Sequence, residues 1–197
     1  MKTREVGVII LAAGSSSRLG QSKQLLEISG KSLLQRAIDT AFAVCGSDTV
    51  VVLGSEADKH QKTLTGKVHI VLNENWTTGM GSSLKVGIRY LLHHLPNIDS
   101  VIIMVCDQPL VTAEHLHTLI EKHARSGAPV VASGYASTYG VPVLFHKSIF
   151  ESISQIKDGH GAKKVIEANL QVAEIVDFQE GSLDIDTPDD ISRLQGL

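Results

Sequence analysis

The amino-acid sequence predicts an α/β protein in which helices cover both faces of a parallel sheet. Three observations predict it. Short apolar runs rich in Val and Ile alternate along the chain with longer amphipathic stretches; a run with no polar face belongs to a strand covered on both sides, and the intervening helices supply the cover. Hydrophobic residues make up 43% of the 197, enough for a core that needs no metal or disulfide to hold it. No internal repeat, low-complexity block or linker rich in Pro, Gly or Ser divides the chain, so residues 1–197 are expected to form one domain.

The elements follow in order. Val6–Leu11 is the first strand; the apolar run that contains it ends at Gly14, far short of the roughly 20 residues that span a bilayer. Ser32–Val44 reads as an amphipathic helix, followed by a strand at Thr49–Leu53, a helix at Glu56–Leu64 and a strand at His69–Leu72. A helix at Ser83–His93 leads to a strand at Ser100–Val105, apolar enough to be central, and then to the helix Ala113–Ser126; several of the helices have a Ser, Thr or Gly just ahead of them. Strands at Pro129–Ala132 and Pro142–Phe145, helices at Lys147–Ile156 and Ala162–Ala168, and a strand at Val172–Val176 complete the sheet. The last helix, Pro188–Leu194, has Thr187 as its N-cap and Pro188 at its first position, with Asp189 and Asp190 near the positive end of its dipole.

Eighteen Lys and Arg against 21 Asp and Glu leave a net charge of −3, which gives no global reason to bind nucleic acid or an anionic membrane. Lys2 and Arg4 ahead of an apolar run imitate a signal peptide, but Glu5 interrupts them and the run suits a buried strand. Cys45 and Cys106 lack metal-ligand spacing and both sit in apolar runs, so a reducing, cytoplasmic setting is expected.

Ligands of open α/β sheets bind beyond the carboxyl ends of the strands, and there the sequence is informative. After the first strand come Ala12, Ala13, Gly14 and Ser15 to Ser17, then Arg18 and Lys23. Small residues let backbone N–H groups approach a polyphosphate and the two cations neutralise it; the alternative is a loop whose glycines only turn the chain. No G-x-G-x-x-G and no G-x-x-x-x-G-K-[ST] occurs in this segment. Asp107 ends a run apolar enough to be a central strand, where an unpaired carboxylate is costly: either it starts the turn before Pro109, or a magnesium ion shared with phosphate oxygens satisfies it. Asp184 and Asp186 alternate onto one side of an extended segment, so either can face such an ion. Gly79, Gly81, Ser82 and Ser83 form a turn that exposes N–H groups and hydroxyls at a helix start, with capping by a serine as the plainer reading. Trp76 either stacks on a planar ligand or pins its loop to the sheet. His93, His94, His115, His117 and His123 share no ligand pattern and are expected at the surface.

Leu11-Ala12-Ala13-Gly14-x-Ser16-x-Arg18-x-Gly20-x-x-Lys23 resembles the signature of the MobA-like nucleotidyltransferases. Four later segments agree in order and resemble the branch that contains molybdenum cofactor cytidylyltransferases: Asn73-x-x-Trp76-x-x-Gly79-Met80-Gly81-Ser82-Ser83-Leu84, Asp107-Gln108-Pro109-Leu110-Val111-Thr112, Gly140-x-Pro142-Val143-Leu144-Phe145 and Asp184-Ile185-Asp186-Thr187-Pro188-Asp189-Asp190. The resemblance implies a three-layer α/β/α sandwich with a mostly parallel sheet, of the Rossmann-like nucleotide-diphospho-sugar-transferase kind. It implies transfer of a nucleoside monophosphate to a phosphorylated acceptor with release of pyrophosphate, with Arg18, Lys23 and Asp107 catalytic and Mg2+ held by Asp107 and Asp186. The nucleotide is then bound by Leu11, Ala12, Ala13, Gly14, Ser16, Arg18, Lys23, Gly79, Gly81, Ser82 and Ser83. The alanine form of the first loop is associated with CTP, which makes molybdenum-loaded molybdopterin the expected acceptor and a molybdenum hydroxylase apoenzyme the expected recipient of the product. Gly140, Pro142, His160 and Gly161 are implied on the acceptor side, although Val141 stands where the family has His, the acid of the Asp158–Ala162 segment comes one place early, and Cys106 replaces Gly before Asp107. GTP as donor, a sugar or polyol phosphate as acceptor, and a non-catalytic cofactor carrier are the competing readings.

Overall fold

The computed structural model describes residues 5–17, 19–187 and 190. Seven strands form one sheet: β1 (Glu5–Ala12), β4 (Thr49–Leu53), β5 (His69–Leu72), β6 (Ile98–Val105), β7 (Val130–Tyr135), β8 (Thr138–His146) and β9 (Ala173–Asp177), in the order β5-β4-β1-β6-β8-β7-β9. A small hairpin, β2 (Glu27–Ile28) and β3 (Lys31–Ser32), stands apart. Every adjacent pair in the sheet is parallel except the two that involve β8.

The fully apolar runs are buried on both sides, as expected. In β1, Ile9 and Leu11 join one core while Val8, Ile10 and Ala12 join the other; β4 and β6 divide in the same alternating way. Helices α3 (Met80–His94), α5 (Phe150–Gln155) and α6 (Ala162–Ala168) cover the first face, and α1 (Leu33–Cys45) and α4 (Ala113–Ser126) the second. The remaining helix, α2 (Ala57–Gln61), is shorter than its amphipathic pattern. Three layers result. Among the described residues no helix is long and apolar enough to cross a membrane.

Two hairpins escaped the sequence reading. β7 and β8 extend their apolar cores towards each other and meet at Ala136-Ser137, both with positive φ, a tight turn made without the Asn-Gly or Asp-Gly pair that announces one. The strands of the other hairpin, two residues each, are too short for any periodicity. The helix expected at Pro188–Leu194 lies outside the described residues except for Asp190, whose Oδ2 accepts the Thr187 N–H at 2.8 Å and its hydroxyl at 2.8 Å, the reciprocal half of a capping box.

His93, His94 and His117 are exposed, but His115 and His123 are not. Both belong to the buried face of α4 with Leu116 and Leu119. His115 Nε2 lies 2.7 Å from Ser133 Oγ and its ring stacks on Phe178, while His123 reaches Ser100 Oγ and the Ala128 carbonyl. Read along the chain they are polar; across the sheet each finds a partner, which makes burial affordable.

Candidate active site

From β1 the chain runs outward to β4 and β5, then returns to β6 on the other side of β1. This reversal leaves a crevice beyond the carboxyl ends of β1 and β6, and there a cleft of about 460 Å³ opens. Its lining comes from the loop Ala13–Ser17, from the turn Trp76–Ser83, and from the end of β6 with Lys23 and Asp186.

The loop after β1 leaves the sheet at Ala12, and Ser16 takes a left-handed conformation with φ of 53°. Among the described residues, no hydrogen bond is donated by the backbone amides of Gly14, Ser15, Ser16 or Ser17. Four successive N–H groups without an acceptor beside a cleft form an anion-binding concavity. Gln24, which sequence reasoning passed over, is almost fully buried at the edge of the cleft and bonded to Ala12, Gly14 and Ser16 of the strand end and loop and to Ser22.

Lys23 crosses to the other wall. Its Nζ lies 2.9 Å from Asp107 and 2.5 Å from Asp186, residues far apart in sequence. Burial alone would lower its pKa, but the charges and hydrogen bonds of the two carboxylates outweigh burial and raise it. Asp186 is brought there by backbone pairing, since Ile185 N–H donates to the Asp107 carbonyl at 2.9 Å. Ile185 is buried against Leu33, so the alternation of the segment turns its two aspartates away from the core. Desolvation, then the carboxylates of Asp107 and Asp186, push Asp184 up to about 6. Two carboxylates that reach the same cation converge on one point, and that geometry fits one divalent ion with two protein ligands, the small number magnesium takes beside phosphate. Cys106 turns its side chain into the core under α1 and α4, where burial holds the thiol protonated.

The turn before α3 differs from expectation. Gly79, Met80 and Ser83 line the cleft, but Gly81 and Ser82 do not. The Gly81 N–H donates to the Asp158 carbonyl at 2.8 Å, and a Cβ on Gly81 would lie 2.5 Å from the carbonyls of His160 and Lys157. Ser82 Oγ turns back to the Gly79 and Asn75 carbonyls, and Asn73 Nδ2 donates to both serine hydroxyls. The α3 N-cap is Gly79, with no side-chain cap. Here close packing, not exposure, is what the small residues serve. Trp76 lines the cleft beside Ala13, and the two close over Gly54, where a Cβ would lie 2.6 Å from Trp76 Cβ and 2.8 Å from Ala13 Cβ.

Of the other residues expected at the site, Leu11, Ala12, Ala13, Gly14 and Ser16 line the cleft with Lys23, Asp107 and Asp186. Arg18 lies outside the described residues. Gly140, Pro142, His160 and Gly161 do not line it: the first two are buried in β8, where Tyr135 Oη fills the place of a Gly140 side chain and Ser133 Oγ donates to the Pro142 carbonyl, and the last two belong to the loop seated on Gly79 and Gly81.

An anion-ready loop and a paired-carboxylate strand end at the switch point of a three-layer sandwich define a nucleotide-binding protein of the nucleotide-diphospho-sugar transferase fold. The chain belongs to the MobA-like NTP transferase family, whose domain matches residues 8–174, a family of nucleotidyltransferases. It is 25% identical to the purine catabolism protein PucB of Bacillus subtilis over 95% of this chain and 94% of that one. It is 39% identical to a probable molybdenum cofactor guanylyltransferase of Synechococcus elongatus over 51% of this chain and 50% of that protein. Among solved structures, the Mycobacterium sp. strain JC1 homologue of Rv0371c superposes with a TM-score of 0.85 at 29% identity, covering 98% of this chain and 97% of that one.

Proposed function

We propose that this single-domain protein transfers CMP from CTP to the terminal phosphate of molybdenum-loaded molybdopterin, releases pyrophosphate, and passes the dinucleotide cofactor to a molybdenum hydroxylase apoenzyme in the cytoplasm. The observation that carries the transfer is the four open amides of Gly14–Ser17 facing a cleft whose far end holds Lys23 between Asp107 and Asp186. Asp107 and Asp186 would hold a magnesium ion, which supplies charge neutralisation at the phosphates when bound.

The chain's own groups then have simple tasks. The loop amides and Lys23, with Arg18 as the second cation, receive the triphosphate oxygens and stabilise negative charge that gathers on the leaving pyrophosphate. An acceptor phosphate oxygen attacks the α-phosphorus in line as the bond to the α,β-bridging oxygen breaks. The acceptor phosphate is already an anion near neutral pH, so no side chain needs to remove a proton, and positioning dominates. Ala13 and Trp76 both line the cleft and are the wall against which the base would lie, and the alanine form of the loop is what favours a pyrimidine. His160 and Gly161, in the loop beside Met80, are the acceptor contacts we carry forward from the motif.

The guanylyltransferase relative favours a second reading, with GTP as donor. Titration of the magnesium-supplemented protein with CTP and GTP separates them: CTP binds tighter under the first reading, and equal or tighter GTP binding overturns it. Pyrophosphate release with molybdenum-loaded molybdopterin tests the acceptor, and indifference to every triphosphate in thermal melting would favour a cofactor carrier.

A further inference from the structure

We infer that Gln24 is a positioning residue for phosphate binding: it holds the carbonyl edges of the loop after β1 inward so that the amide edges stay open to the cleft. The inference rests on the nucleotidyltransferase reading and names a residue that neither the motif nor the proposed chemistry uses.

Pairing between β1 and β6 ends at Leu11 and Val105. Beyond it the chain must find other partners for its carbonyls, because a carbonyl withdrawn from water without a donor is costly. Gln24 Nε2 donates to the Ala12 carbonyl at 3.1 Å and to the Gly14 carbonyl at 2.8 Å, and the Ser55 N–H takes the Ala13 carbonyl between them at 3.0 Å. In a planar trans peptide the N–H lies opposite the carbonyl. Tying down the Gly14 carbonyl therefore points the Ser15 N–H away from Gln24, and Ser15 lines the cleft.

The other end of the side chain completes the brace. Gln24 Oε1 accepts from Ser16 Oγ at 3.1 Å and from Ser22 Oγ at 3.0 Å, and Ser16 Oγ in turn accepts the Lys23 N–H at 2.9 Å. One amide thus joins the loop to the base of the lysine that crosses to Asp107. Ser22 Oγ also lies 2.6 Å from His60 Nε2. Because Ser22 gives its only proton to Gln24, His60 donates from Nε2, which leaves Nδ1 bare and, among the described residues, without a partner. The orientation of the Gln24 amide follows, with two donors facing two carbonyls and one oxygen facing two hydroxyls. A methionine fills the same space with none of these bonds.

The test compares binding of CTP, GTP and cytidine, with magnesium, to the wild type, Gln24→Met and Ser22→Ala. We expect Gln24→Met to weaken the preferred triphosphate at least about tenfold while cytidine affinity stays within twofold, and the KM for the triphosphate to rise by more than kcat falls. Ser22→Ala, which removes one of the four bonds, weakens triphosphate binding a few-fold, and it decides the matter if Gln24→Met does not fold. Triphosphate binding unchanged in a folded Gln24→Met, or in Ser22→Ala when that variant decides, overturns the inference. So does an equal loss of triphosphate and cytidine, which marks general damage. A wild type that binds no triphosphate overturns the nucleotidyltransferase reading itself, and this inference with it.

Discussion

Replacing Lys23 by Met tests the centre of the cleft most directly, because it keeps a long unbranched stem and removes one charge. The Asp107 contact is shielded, with the lysine side chain 13% and the aspartate 26% exposed, so a charge-assisted bond of about 1.5–3 kcal/mol is lost there. Asp186 is 47% exposed, and water screens that pair to no more than about 1 kcal/mol. Denaturant unfolding with chelator present should therefore show the variant about 1.5–4 kcal/mol less stable. Magnesium should restore most of that loss if, as proposed, Asp107 and Asp186 hold it, since the ion would then supply the positive charge that Nζ supplies in the free protein. For the same reason the variant should bind bare magnesium more tightly than the wild type, which must first move its lysine. Triphosphate binding should change in the opposite sense, weakening roughly tenfold to a hundredfold as one charged contact to phosphate is lost. Calorimetric titration with magnesium alone and then with CTP measures both. Equal magnesium affinity in the two proteins would show that Lys23 and the ion do not compete, and the two-aspartate site would have to be abandoned.

Two other outcomes follow from the same structure. Asp107→Asn and Asp186→Asn keep their shape and should stay folded, Asp107→Asn being the less stable because it loses its charged bond to Lys23, yet both should release pyrophosphate at least about a hundredfold more slowly at equal magnesium; near-normal rates in both would remove the metal from the reading. His115 is held down to about 4 by burial, partly offset by Glu180, against an ordinary value of 6.5. Its neutral form is the folded form, so its contribution is complete above pH 6.5, falls by about 2 kcal/mol at pH 5, and approaches a loss of about 3 kcal/mol near pH 4; denaturation midpoints across that range should fall less steeply in His115→Gln.

The strands, the cleft loop and the carboxylate that ends β6 were legible because each follows from one local rule: apolar runs, small residues after a strand, a carboxylate at a strand end. That Asp186 stands beside Asp107 was implied only by the family resemblance, and that Lys23 bridges the two is seen only in the structure. What stayed hidden depends on partners distant in sequence. Gln24 reads along the chain as an ordinary solvated residue, although a signal existed, because a loop that turns four amides to a ligand needs donors for its carbonyls and a glutamine a few residues on can supply two. The glycines of the Gly79–Gly81 turn signalled close approach correctly, but the approaching group is the Asp158–His160 backbone as much as any ligand. His115 and His123 stand four residues either side of Leu119 on the expected helix, a stripe that hinted at burial, but only the sheet topology puts Ser133 and Ser100 opposite them.

The two walls of the cleft are therefore built on opposite principles. At the loop after β1, Gln24 takes up the carbonyls of Ala12 and Gly14 while the amides of Gly14–Ser17 donate to no other described residue, which suits a partner that arrives and departs. The wall at Gly79–Ser83 is already closed, with Gly81 under the backbone of the next loop, Lys85 paired to Asp158, and Lys85 and Thr78 holding the Asp158 carboxyl below its ordinary range. That closure explains how the sequence can depart from the family pattern between Asp158 and Ala162 while keeping both glycines of the turn. The contacts made by Gly79 and Gly81 are to the main-chain atoms of residues 157–160, which any side chain leaves in place. The side chains of that loop can therefore change without disturbing the packed glycine seat.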